Sequence, residues 1–194
     1  MSKHRRIAVY CGSSAGLKPE YAAAAKALGR SLAEREIGLV FGAGRVGLMG
    51  VIADAVLEVG GEAIGVIPEK LMDLELAHPG LTELHVVTGM HPRKLMMAEL
   101  SDAFIAMPGG YGTFEELFEV ITWAQLNYHL KPVGLLNVDG YYDGLLTFLD
   151  HACQEGFVRK IHRDMVVESA DPGKLLERLA RTSVPELGRW IDEV

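Results

Sequence analysis

Two short stretches of this chain combine charge with a helix-opening signal, and both are suited to holding an anion. In His91-Pro-Arg-Lys94 two cations follow a proline. Proline fits the first turn of a helix, so Arg93 and Lys94 stand at the positive end of its dipole. Each is unfavourable there by about 0.3–1 kcal/mol unless an anion is close. In Met107-Pro-Gly-Gly-Tyr-Gly-Thr-Phe-Glu-Glu116 three glycines lie between an apolar run at 102–107 and a helical stripe of Phe114, Leu117, Phe118 and Ile121. Glycine brings bare N–H groups close to a ligand, and a helix start adds unpaired donors. Phosphate is the usual guest of that combination. The same residues fit ordinary turn chemistry, with Thr113 as N-cap and Glu116 reaching back to it as a capping box. Arg93 likewise has two accounts, solvated or paired with a carboxylate such as Glu116 on one hand, facing a bound phosphate on the other. Glu115 and Glu116 point about 100° apart on a helix, so at most one meets a reacting centre.

Other chemistries find less support. Gly42-Ala-Gly44-Arg-Val-Gly47 matches the dinucleotide fingerprint, but it follows the second strand of the chain, not the first. The acidic residue expected at the end of the next strand falls at Glu62, where that strand begins, and Glu69 lies beyond it. A phosphate-facing or tightly packed loop is the better reading. The histidines show no HxxxH or HxxE spacing, and Cys11 and Cys153 form no CxxC pair. No metal site is expected. No G-x-S-x-G elbow supports a serine hydrolase.

Elements must hold these loops in place. Apolar runs at 6–11, 38–41, 63–67, 83–87, 102–107, 132–138 and 165–167 read as strands. Helical patterns at 19–36, from 50 to 59, at 92–100, after the glycine loop, and at 142–155, 172–181 and 185–193 alternate with them. Strands apolar on consecutive residues are covered on both faces, which argues for a parallel sheet between two helix layers. The expected fold is therefore α/β, a Rossmann-like three-layer sandwich with a mostly parallel sheet, forming a single domain over 1–194. Ligands of such sheets bind beyond the carboxyl ends of the strands, so the turn carrying Arg93 and the loop Gly109 to Gly112 share one edge.

A formal net charge of −7 argues against a general affinity for nucleic acid or anionic membranes. Any phosphate site must be a local concentration of donors. No apolar run reaches the length of a membrane span, and the run behind the basic Met1-Ser-Lys-His-Arg-Arg6 is too short for a signal peptide. A cytoplasmic location is expected.

Several segments in register resemble the LOG (LONELY GUY) family of cytokinin riboside 5′-monophosphate phosphoribohydrolases, many of which once carried a misleading lysine-decarboxylase label. They are Cys11-Gly-Ser-Ser-Ala-Gly16, Gly47-Leu-Met-Gly50, Met90-His-Pro-Arg-Lys94, Ser101-Asp-Ala-Phe-Ile-Ala106, Ile121-Thr-Trp-Ala-Gln125 and Lys131-Pro-Val-Gly-Leu-Leu-Asn137, with Met107 to Glu116 matching the signature PGGxGTxxE. Ala43 departs from the family, which usually has a glycine there. The resemblance implies hydrolysis of the N-glycosidic bond of a nucleoside 5′-monophosphate to an adenine-type base and ribose 5-phosphate. It implies Arg93 and Glu116 as the catalytic pair. Glu75, Lys94, Gly109, Gly110, Tyr111, Gly112, Thr113, Phe114, Glu115 and Thr122 become substrate contacts. It further implies a homodimer with the cleft near the subunit contact, and no metal or redox cofactor. The rival is a non-hydrolytic nucleotide or pterin-phosphate carrier of the same fold, resembling molybdenum-cofactor carrier proteins. Such a carrier needs no carboxylate beside a ribose, so the presence of Arg93 and Glu116 favours the enzyme.

Overall fold

The computed structural model describes residues 6–75 and 77–185, the side chains of 73–75 excepted. Its strands are β1 (Arg6–Tyr10), β2 (Gly38–Phe41), β3 (Ala63–Pro68), β4 (Glu83–Val87), β5 (Ala103–Ala106), β6 (Val133–Leu136) and β7 (Val166–Ser169). They form one sheet in the order β4-β3-β2-β1-β5-β6-β7. Every pairing is parallel, where the sequence pattern predicts only a mostly parallel sheet. The central strands β1, β2, β3, β5 and β6 are buried on nearly every residue, as their unbroken apolar runs require.

The helices are α1 (Pro19–Ala33), α2 (Gly47–Leu57), α3 (Glu69–Glu75), α4 (Met90–Glu99), α5 (Tyr111–Gln125), α6 (Asp143–Gln154), α7 (Lys160–Arg163) and α8 (Pro172–Arg181). Leu28 and Leu32 of α1, Ile52 and Val56 of α2, and Leu175 and Leu179 of α8 pack on one face with Ile7, Val9, Leu39, Phe41 and Ile105. Met97 of α4 and Leu117 and Val120 of α5 pack on the other with Ala8, Tyr10, Val40, Ile64, Val66 and Phe104. Each fully buried Leu, Ile or Val contributes roughly 1.5–3 kcal/mol of transfer free energy, so both layers are held firmly to the sheet.

Two helix starts differ from expectation. Helix α4 opens at Met90 behind an extended Gly89, not at Pro92. Helix α5 opens at Tyr111, with Gly110 as N-cap and no side-chain cap. Thr113 is thus already inside the helix, and the capping box does not form. The short α3 and α7 lie in stretches with no helical stripe. The helix expected over 185–193 falls, apart from its first residue, outside the described residues.

Chain order along the sheet runs outward from β1 to β4, then returns past β3, β2 and β1 to place β5 on β1's other side. The reversal makes β1 and β5 the topological switch point, the place where open α/β sheets leave a crevice for ligands.

Candidate active site

A cavity of about 230 Å³ opens at that switch point. The end of β1 and its loop supply Val9, Tyr10, Cys11, Gly12 and Ser13, and the start of α5 supplies Gly110, Tyr111, Gly112, Thr113 and Glu116. Arg93 and Met97 enter from α4, Gly42 and Met49 from beyond β2. The N–H groups of Tyr111, Gly112 and Thr113, in the first turn of α5, have no helical acceptor, and no N-cap side chain takes one up. The first N–H bonded back within the helix is that of Phe114, to Gly110 O at 3.1 Å. The cavity wall is therefore a set of free donors at the positive end of a helix.

The glycine loop that precedes α5 is braced from several sides. Gly12 N donates to Pro108 O at 3.0 Å. Tyr142 Oη donates to Met107 O at 2.6 Å, and Tyr141 Oη donates to Gly109 O. A side chain at Gly109 would lie 2.1 Å from Thr113 Oγ1 and 2.9 Å from Gly12 N. Gly109 thus shapes the loop by close packing and borders a neighbouring crevice with Ser14, Tyr21 and Tyr141.

Arg93 and Glu116 meet inside the cavity. Arg93 is only 6% exposed. Its Nε donates to Val66 O and its Nη2 to Gly42 O, both at 3.1 Å. Nη1 lies 3.9 Å from Glu116 Oε1. Burial raises the Glu116 carboxyl to about 7, against the opposing pull of the Arg93 charge. A carboxyl group poised near neutrality in a cleft is suited to proton transfer at physiological pH. Burial also pushes the Cys11 thiol far up, which leaves it protonated and a poor nucleophile. Tyr10 is raised well above its ordinary value for the same reason.

The remaining residues expected at the site lie elsewhere. Lys94 is buried, but its Nζ is turned to Glu115 and Glu119, the latter at 3.0 Å. Burial works to lower its pKa, and the hydrogen bonds to the two glutamates outweigh that and raise it. Phe114, Glu115 and Thr122 line an open depression on the outer side of α5 with Phe118, Glu119 and Trp123. Thr122 Oγ1 donates to Phe118 O at 2.7 Å. Glu75 closes α3, and its side chain lies outside the described residues. Cys11, Ser13, Gly42 and Met49 also line the cavity; they fall in motifs noted in the sequence, but not among the substrate contacts expected there. Their signal was positional, since the loops after β1 and β2 end on the same edge. Among the described residues no group of three or more His, Cys, Asp or Glu could hold a metal ion.

The loop at Gly42 proves to be a packed turn. Gly47 takes φ +61 with its Cα against the Ser13 backbone, where a side chain would fall 2.3 Å from Ser13 O. Ala43 adopts φ 67, a left-handed conformation that costs an L-residue about 1–2 kcal/mol. The alanine thus follows a backbone path that glycine would take without strain.

A parallel sheet with a donor-lined cleft at its switch point, holding a buried arginine and a near-neutral carboxyl, defines an α/β protein built to hold a small anionic ligand. The family model described as "Possible lysine decarboxylase" matches residues 49–179. A cytokinin riboside 5′-monophosphate phosphoribohydrolase of Arabidopsis thaliana, LOG7, is 53% identical over 178 residues, covering 92% of this chain and 82% of that protein. The enzyme of the same name from Oryza sativa subsp. japonica, LOG, is 52% identical over 185 residues, covering 95% and 76%. Among solved structures, a molybdenum cofactor binding protein from Rippkaea orientalis superposes with a TM-score of 0.68 at 23% identity, covering 89% of this chain and 93% of that one. That likeness speaks for the fold alone. The chain belongs to the LOG family of phosphoribohydrolases.

Proposed function

We propose that this protein hydrolyses the N-glycosidic bond of adenine-type nucleoside 5′-monophosphates, cytokinin riboside monophosphates or AMP, giving free base and ribose 5-phosphate. The observation that carries the reading is the meeting of Arg93 and Glu116 beside the uncapped start of α5, in a chain 53% identical to a phosphoribohydrolase.

The 5′-phosphate rests on the free N–H groups of residues 111–113, with Gly109, Gly110 and Gly112 allowing its close approach. That remote binding energy orients the reacting carbon. As the C1′–N bond breaks, its electron pair leaves with the base and positive charge develops on the ribose, as in other glycoside cleavages. The Glu116 carboxylate faces that charge and takes a proton from the water that adds to C1′. The leaving base takes up one proton in place of its bond to C1′, and Glu116 gives up the one it took from water, so that hydrolysis consumes one water and no net proton. Arg93 supplies fixed positive charge to the phosphate or to the departing base. The cavity volume of about 230 Å³ is below the ~300 Å³ at which pockets for drug-sized ligands begin. It suits the sugar phosphate and leaves the base at the mouth.

A homodimer belongs to the same reading. Leu95 on α4, Phe118 on α5 and Leu126 just past its end are 50%, 38% and 45% exposed, and Phe118 lines the depression together with Phe114, Glu115 and Thr122. With Lys94 and Glu75, these residues reach substrate in this reading from the contact between two copies, and the active form is cytoplasmic. The test incubates the protein with AMP and, separately, with isopentenyladenosine monophosphate, and assays free base and ribose 5-phosphate. Equimolar release of both products is expected. Tight binding of nucleotide with no release from either substrate would overturn the enzyme in favour of a carrier.

A further inference from the structure

The geometry points to Gly42 as a positioning residue for the reaction, a seat that only a glycine can offer to the guanidinium of Arg93. This inference rests on the hydrolytic reading of the cleft.

Arg93 reaches the cavity from α4 and is fixed by two main-chain carbonyls, Val66 O at the end of β3 and Gly42 O just past β2. The second bond requires the arginine to lie against the Gly42 backbone. A Cβ at position 42 would fall 2.0 Å from Arg93 Nη2 and 3.2 Å from both Arg93 Cζ and Met49 Sδ. No glycine-specific backbone conformation is involved, because φ at Gly42 lies outside the left-handed region, unlike that of Gly47. Alanine can follow the same main-chain path. What it cannot do is share space with the guanidinium. The loop that matches a dinucleotide fingerprint thus uses its leading glycine to admit an arginine.

The consequence passes through Arg93 to Glu116. The groups facing Glu116 are Arg93 and Lys94 from α4, Glu115 and Glu119 from its own helix, and Tyr10 at the end of β1 with Cys11 just beyond it, both kept neutral by burial. The guanidinium is the strongest attraction opposing burial. Displacing it removes that attraction, and the carboxyl then holds its proton to higher pH.

The test compares wild type, Gly42→Ala, Arg93→Met, the double variant of these two, and Gly134→Ala. The last is a buried strand glycine whose Cβ would crowd only Leu175 and Leu179, at 3.0 and 3.3 Å. Two readouts are taken: kcat and KM for AMP hydrolysis across pH, and the Glu116 carboxyl titration followed by carbon NMR. Gly42→Ala is expected to lower kcat by about tenfold or more with KM changed less, and to move the Glu116 midpoint upward. Gly134→Ala should leave both in place. In the Arg93→Met background Gly42→Ala should have little further effect on kcat or midpoint, because the guanidinium it collides with is gone and only the looser contact with Met49 Sδ remains. An unmoved midpoint with wild-type kcat in Gly42→Ala overturns the seat, and so does an independent, additive loss in the double variant. Should wild type release no base from AMP or from isopentenyladenosine monophosphate, the hydrolytic reading fails, while the titration still decides whether Gly42 seats the arginine.

Discussion

Glu116 is the residue on which the chemistry turns, and its protonation has two measurable consequences. Its carboxyl titrates near 7 in the folded protein, whereas an exposed glutamate titrates near 4.3. If the carboxylate form is the active one, kcat/KM for AMP rises with pH through about 7 and levels off above it. A flat profile between pH 6 and 8 would remove Glu116 from the reacting centre. The same shift acts on stability. A carboxyl raised on folding contributes stability that is complete below the unfolded value and is lost as pH climbs through the folded one. Glu116→Gln should therefore melt higher than wild type at pH 8, with the difference shrinking as pH falls towards 4.5. Its kcat should drop by roughly 10²-fold or more while nucleotide binding, measured by calorimetry, survives.

At the level of elements, α4 and α5 lie side by side and share a charge cluster apart from the cleft. Lys94 is buried between Glu115 and Glu119. Lys94→Met strands two carboxylates, and a loss on the order of 1–3 kcal/mol is expected, less than for a wholly buried pair because Glu115 is half exposed. Adding Glu115→Gln and Glu119→Gln should restore much of the melting temperature. If the triple variant melts no higher than the single one, Lys94 stabilises by packing and not by charge. The helices themselves were mostly legible as periodic apolar stripes, and the strands as unbroken apolar runs. The start of α5 was not, because Thr113 and Glu116 satisfy a capping pattern that competes with the bare Gly110 actually used. Lys94 is turned away from the cavity that holds Arg93 for a simple reason. Adjacent residues on a helix diverge by about 100°; that rule, applied to Glu115 and Glu116, also separates Arg93 from Lys94.

Taken as a whole, the molecule brings Arg93 to Glu116 by a long return of the chain. β4 and β5 are consecutive in sequence, yet three strands lie between them. That order is set by which strands pair, and no single strand's composition records it. The sharing of an edge by two anion-attracting helix starts was nonetheless readable, since a parallel sheet puts every such loop at one end. The exposed apolar residues of α4 and α5 carry the prediction at this scale. Light scattering should give the mass of two chains at micromolar concentration, and Phe118→Glu should shift the mass to one chain. A wild-type protein that stays monomeric at those concentrations would overturn the proposed assembly.

The two adjacent phenols behind the glycine loop have a last effect. In a trans peptide the carbonyl and the amide proton point to opposite sides of the bond. By tethering Gly109 O, Tyr141 turns the Gly110 proton away from its own ring and locks a plane that glycine on both sides would otherwise let spin over. Tyr141→Phe unhitches that plane without opening a void, so the melting temperature should hold while KM for the monophosphate climbs. The loop's grip on its guest is thus set from outside it, by a hydroxyl bonded to the loop's own carbonyl.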